Sequence, residues 1–181
     1  VSDVFDSIRA LFGKVDQGRK PIDVNEIILS VLHSMRGELR DHRVEVRPEL
    51  TPELPLVEGH GGQFQEVIVN LVQNAIEAMD MTANRNCVLR IKTELRDPDA
   101  IAVAVEDSGP GIDPKQLDSI FTAFVTTKPH GMGLGLAICR MIIDHHGGDL
   151  TVSSDGKCGT LFQLILPIGP MDKGAPNRQT L

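Results

Sequence analysis

The chain has 181 residues, a formal net charge of -7 and neither Trp nor Tyr. That length fills one domain with a short appended element at either end, and the acidic balance, without a run of Lys or Arg, excludes a surface that tracks a phosphodiester backbone. Cys87, Cys139 and Cys158 lie far apart without C-x-x-C spacing, which excludes a disulfide framework or zinc ribbon and implies reduced, cytoplasmic thiols.

No apolar run reaches the roughly 20 residues that span a bilayer. The acids in "VSDVFDSIRALFGK" do not suit a signal peptide, and the missing initiator Met marks the chain as a piece of something longer. Val1, Val4, Phe5, Ile8, Leu11 and Phe12 recur at helical spacing before "GKVDQGRKP", which predicts a helix tail and then a linker. Such a stripe needs cover, either from a partner helix or from the chain's own domain. Asp23 then caps "VNEIILSVLHSMRGELRDH", an amphipathic helix with Val24, Ile27, Ile28, Val31, Leu32 and Met35 on one face. "RVEVRPEL" alternates as a strand and "LPLVEGH" is a short second one.

A long helix follows from Gly61 to about Ala83, then the strand "CVLRIKTEL", a turn at "RDPDA" and the apolar strand "IAVAVED". After a loop, Gly131 opens a helix that runs to His146. "DLTVSS" and "TLFQLILP" form a hairpin around "DGKCG", and "GPMDKGAPNRQTL" is tail. The elements mix without regular β-α-β alternation. They predict an α+β two-layer sandwich, a mixed sheet with three main helices on one face, over residues 21–168, between an N-terminal segment of residues 1–20 and a tail of residues 169–181.

On the long helix, Phe64, Val67, Ile68, Leu71, Ala75 and Met79 form the apolar face. Glu66, Asn70, Asn74 and Glu77 occupy a sector of roughly 80° opposite. Asn is a weak helix former, so two stacked one turn apart are unusual where Lys and Glu are the common choice. Their amide oxygens are neutral hard ligands suited to a magnesium ion that already carries phosphate oxygens and waters; an ordinary polar face is the other reading. "VEDSGPGID" sets Asp107 at the end of a buried strand, before a Gly109-Pro110-Gly111 turn that lets backbone approach a flat ligand. A carboxylate there accepts a hydrogen bond from the exocyclic amine of adenine and repels the carbonyl of guanine. Taken alone, the pattern is equally a strand-ending turn. In "TTKPHGMGLGLAI", Gly131, Gly133 and Gly135 follow G-x-G-x-G spacing, which fits neither the dinucleotide fingerprint nor the P-loop.

With "NLVQNAIEAM", "DSGPGI", "FTAFVTTK", "GMGLGLAI" and "GTLFQLILP" in one fixed order, the chain resembles the catalytic and ATP-binding domain of two-component sensor histidine kinases over about Pro21 to Pro167. The resemblance implies the Bergerat ATP fold shared with gyrase, the Hsp90 chaperones and MutL, with ATP and Mg2+ as its cofactors. Position by position it implies that Asn74 binds magnesium, supported by Asn70 at the metal and phosphates. Asp107 is then the adenine reader, Gly109, Gly111 and Ile112 line the base pocket, and Thr160 makes a water-mediated contact to adenine. Phe121 and Phe124 match the phenylalanine box, where the pair either serves the nucleotide or packs the lid. Lys128 is the lid's one cation, set either against the terminal phosphates or simply in solvent. Gly131, Met132, Gly133, Leu134, Gly135 and Leu136 form the glycine-rich box, which brings backbone N–H groups and the positive end of the following helix to the phosphates. Asn70, Asn74 and Lys128 are the implied catalytic residues. Only "VTTKPH" separates Phe124 from Gly131, a short lid similar to that of nitrogen-regulation and oxygen-sensing kinases.

Related ATPases of this fold carry a glutamate where this chain has Asn70, a neutral and feeble base, so attack by water should be slow. The implied reaction is transfer of the γ-phosphate to a histidine on a separate dimerisation hairpin, through positioning and charge neutralisation. The family's acceptor box, a His followed by an acid and then a Pro, does not occur in this chain; His33, His42, His145 and His146 read as surface or packing residues, while His60 and His130 lie in loops, His130 bordering the nucleotide by sequence without an assigned role. Val1 to Phe12 resembles the end of the second hairpin helix, so the chain should bind Mg-ATP without phosphorylating itself. The implied partners are that hairpin and a response regulator, with a homodimeric intact protein, a monomeric fragment, and no nucleic acid or direct membrane contact. The competing readings are an ATP-hydrolysing relative, an anti-sigma serine kinase and a nucleotide-binding scaffold without activity.

Overall fold

A computed structural model describes residues 18–81, 86–96, 99–124 and 133–169. The chain enters through β1 (Lys20–Ile22), which pairs antiparallel with β3 (Val57–Gly59). The sequence predicts linker through Pro21; instead Ile22 buries its side chain opposite Val57, and that burial ties the entry segment down.

Next comes α1 (Val24–Ser34). The Asp23 carboxylate accepts the N–H groups of Asn25 at 2.9 Å and Glu26 at 3.1 Å, the capping expected of that residue. The helix predicted to run on through residue 42 breaks at Met35 (φ -89°, ψ 5°) and resumes as α2 (Arg36–Asp41). The Ser34 hydroxyl donates to the Val31 carbonyl at 2.8 Å, a local bond that competes with the helical ladder, and Gly37 lowers helix propensity just beyond it.

β2 (Val44–Leu50), β4 (Cys87–Arg96), β5 (Ala100–Asp107), β7 (Thr160–Pro167) and β6 (Asp149–Ser153) form one sheet in that spatial order. β2 runs parallel to β4, and every other pairing is antiparallel. α1, α3 (Gly61–Asp80) and α4 (Gly135–His145) carry the apolar stripes that meet the sheet's inner face. Strict alternation of buried and half-buried residues along β7 is the signature of a sheet covered on one side. Ile28, Val67, Leu71, Ile76, Leu89, Ile91, Val103 and Leu164 have almost no exposure, and each contributes about 1.5–3 kcal/mol of burial. On the outer face, Arg90 reaches Glu49 at 3.2 Å and Glu106 at 2.8 Å, solvated pairs that contribute little. A buried network around Thr93 fastens α1 to the sheet: its hydroxyl donates to Asn25 Oδ1 at 2.9 Å and accepts the Thr51 N–H at 3.0 Å.

α4 starts at Gly135, four residues later than predicted. Gly133 has a left-handed φ of 66°, which no right-handed helix accommodates, so the turn ends only with Leu134. The predicted residues Lys128, Gly131 and Met132, and the stripe from Val1 to Phe12, lie outside the described residues.

Candidate functional site

β5 delivers Asp107 to the rim of the core, where it pairs with Thr160 of β7. Asp107 is 6% exposed and Thr160 is 5% exposed, so both face an enclosed space. The Gly109 N–H donates to Asp107 Oδ1 at 2.7 Å, and the Thr160 amide supplies a second hydrogen bond to the carboxylate. Burial pushes the carboxyl pKa up to about 6, although both amides pull it down; the neighbouring Glu106 charge adds to the rise. Two amides leave part of the carboxylate's acceptor capacity unused. Gly109 is buried, while Gly111 and Ile112 are half-buried beside it.

α3 runs past this group. A side chain at Gly109 would come within 3.2 Å of the Ala78 Cβ, so Ala78 marks the Asp107 end of the helix. Asn74 and Asn70, both half-buried, follow at one-turn intervals on the same stripe. Asn70 Nδ2 donates to the Glu66 carbonyl at 3.0 Å. Its Oδ1 therefore turns towards α4, where a Cβ on Gly135 would lie only 2.9 Å away. From Ala78 to Asn70 the helix rises about 12 Å, and one end meets a buried carboxylate while the other meets the start of a helix. Leu134 supplies no side-chain cap to α4, so the leading amides of that helix stay open to an anion.

The Phe124 N–H donates to the Gly133 carbonyl at 3.0 Å, and Phe124 itself is exposed with a left-handed φ of 66°. Phe121 turns inwards, with its ring centroid 6.4 Å from that of Phe162 and the Arg140 guanidinium 4.8 Å above its face. Leu136 is half-buried and packs on the core.

Asn70, Asn74 and Ala78 thus mark one path along α3, with Gly135 at one end and Gly109 beside Asp107 at the other. Sequence reasoning passed over Ala78, Gly159 and Ser154. A Cβ at Gly159 would fall 2.1 Å from the Asp107 carbonyl oxygen, a close approach that only glycine permits. Ser154 sits in a hairpin loop beside a second serine, and nothing in "SSDGKCG" sets it apart. Among the described residues no group of three His, Cys, Asp or Glu side chains could hold a metal, so a cation here would rely on amide oxygens and on the ligand's own oxygens. An open groove of about 620 Å³, lined by Leu32, Arg36, Leu39, Arg43 and Val46, lies away from this path and gathers no buried acid or amide.

Residues 59–170 match the family described as histidine kinase-, DNA gyrase B-, and HSP90-like ATPase. The chain is 38% identical over 151 residues to the sensor protein TdiS of Thauera aromatica, covering 83% of this chain and 28% of that protein. It superposes on the catalytic domain of histidine kinase ThkA with a TM-score of 0.74 at 34% identity, covering 84% of this chain and 99% of the other. A TM-score of 0.73 at 27% identity relates it to ThkA in complex with the response regulator TrrA, over 95% of this chain and 49% of that one. No helix among the described residues is long and apolar enough to cross a membrane. The chain spans 28% of TdiS and belongs to the histidine kinase-, DNA gyrase B- and HSP90-like ATPase family, as an ATP-binding catalytic domain of the sensor histidine kinase type.

Proposed function

We propose that this domain holds Mg-ATP along α3 and transfers its γ-phosphate to a histidine on a separate helical hairpin, for relay to a response regulator. The observation that carries the reading is the pairing of a buried, amide-braced carboxylate with two stacked carboxamides, about 12 Å of helix apart at the extremes. Asp107 accepts the exocyclic amine of adenine on its unused lone pairs. Gly109, Gly111, Ile112 and Thr160 wall the base. Asn74 supplies its amide oxygen to magnesium and Asn70 supports the metal and phosphates one turn on, which fits a donor set of neutral oxygens. Held by Asn74 with Asn70 in support, a bound magnesium ion would offset the negative charge of the phosphates. Gly133, Leu134 and Gly135 bring the open amides of α4 to the phosphates, and Lys128 adds a cation from the lid.

Asn70 stands where a hydrolytic relative would need a base, and an amide takes no proton from water at neutral pH. The domain therefore positions the triphosphate and leaves the nucleophile to the acceptor imidazole. Residues 21–168 are the catalytic unit, residues 1–20 the end of the dimerisation hairpin and its linker, and residues 169–181 a tail. The intact protein works as a homodimer, with this unit in the cytoplasm.

A test in trans separates this from hydrolysis and from a binding scaffold. The chain is mixed with labelled ATP, Mg2+ and a purified hairpin bearing the histidine of a related sensor kinase. We expect acid-labile phosphate on the hairpin and none on the chain alone. Steady release of inorganic phosphate without transfer would identify an ATPase, and nucleotide binding with neither product would identify a scaffold.

A further inference from the structure

Ser154 lies just beyond β6, in the turn to β7, and its hydroxyl uses every bond it can make. It donates to the Gly159 carbonyl at 2.7 Å and accepts the N–H groups of Ile112 at 2.9 Å and Gly156 at 3.4 Å. The Ile112 bond joins two loops 42 residues apart in the chain. A second clasp lies alongside, from the Gly159 N–H to the Gly109 carbonyl at 2.8 Å. The fit leaves no slack: a Cβ on Gly111, whose φ is 80°, would sit 2.7 Å from Ser154 Oγ and 3.1 Å from the Lys157 nitrogen. The segment between these clasps, Gly109 to Ile112, is the one whose Gly109 N–H braces Asp107.

We infer that the Ser154 hydroxyl is a positioning residue for the nucleotide base: it holds the Gly109–Ile112 loop where Asp107 can read the exocyclic amine. This rests on the adenine-reading role proposed above. Ser154 touches the loop and not the ligand, so its removal should blur the discrimination between bases and leave the phosphate end of the site intact. Without the hydroxyl, the Ile112 N–H loses its acceptor and the loop gains freedom that binding must remove again.

The experiment titrates the chain at pH 7.5 with Mg-ATP and with Mg-ITP, whose hypoxanthine carries a carbonyl in place of the amine. Wild type should prefer ATP. In Ser154→Ala the ATP affinity should fall about tenfold with ITP affinity nearly unchanged, so the preference collapses. Ser154→Thr, which keeps the hydroxyl, should retain the preference, and Ser154→Val, of the same shape without it, should not; this pair carries the test if the alanine variant unfolds. Equal losses for both nucleotides, unchanged binding in Ser154→Ala, or identical Thr and Val variants would overturn the inference. Wild type with no preference for ATP would instead refute the adenine-reading role itself.

Discussion

Asp107 is a carboxylate at the end of a core strand, and its burial lifts its pKa from 3.8 to about 6. The folded state thus holds that proton more tightly than the unfolded chain, so stability falls as pH rises from about 4 to about 6, and the full cost of the buried charge is present above that window. Ligand binding has the opposite sign, because an amine donates to the ionised carboxylate. ATP affinity should therefore weaken as pH drops through about 6. Asp107→Asn should raise thermal stability near pH 7.5, on the order of 2 kcal/mol, while lowering ATP affinity at least tenfold. Calorimetric titration and melting curves on the same sample check both; a variant that melts lower and binds as well as wild type contradicts the role. Asp107, Asn70 and Asn74 were legible because strand end and helical spacing are local properties. Ser154 was not, because its importance lies in a partner 42 residues away.

At the scale of elements, α4 is held at its far end by His146. His146 Nδ1 lies 2.7 Å from the Ile142 carbonyl, which can only accept, so the proton sits on Nδ1 and Nε2 is free to accept the His60 N–H at 3.2 Å. The ring also lies 4.5 Å from that of Phe64. One neutral imidazole thereby joins the end of α4 to the start of α3, the two helices that carry Gly135 and Asn70. Burial pushes its pKa down to about 4, against the pull of the Ile142 bond, with Arg19, His145 and His60 adding to the drop. The unfolded chain binds this proton more readily, so the stability is complete above pH 6.5 and is lost as pH falls towards 4, by about 3 kcal/mol in all. Asp107 stabilises the fold over the same interval as it takes up its proton, so the test is the difference between the two chains: His146→Gln should start lower in urea at pH 7.5 and lose less than wild type, or gain, on going to pH 5. An equal change in the variant would move the effect to other groups. The sequence leaves His146 as a surface or a packing residue, and its burial and contacts with Phe64 and Ile142 make it the latter. Breaks within elements were harder to foresee. Apolar periodicity continues through Met35, but the backbone there leaves helical geometry, beside a Ser34 hydroxyl bond to the Val31 carbonyl.

For the molecule as a whole, the three thiols report how the layers shield their contents. Cys139 is buried between α3 and α4, and its pKa is pushed up to about 12 by burial, with the Glu66 charge adding to it. Cys87 is half-buried and Cys158 is exposed in the hairpin loop. Native alkylation with iodoacetamide followed by peptide mass spectrometry should modify Cys158 first and leave Cys139 untouched until the domain unfolds. Rapid reaction at Cys139 would mean that the two helices separate in solution.

The amino-acid sequence alone determined the layered architecture, the strand and helix order, the place of Asp107 at a strand end and the one-turn spacing of Asn70 and Asn74, because apolar period and motif spacing act over a turn or a strand. Tertiary structure alone decided which loop braces Asp107, where α4 begins and which histidine joins it to α3. Those outcomes depend on partners such as His60 and His146, 86 residues apart, whose meeting is set by the packing of the whole sheet and its helices rather than by any local preference.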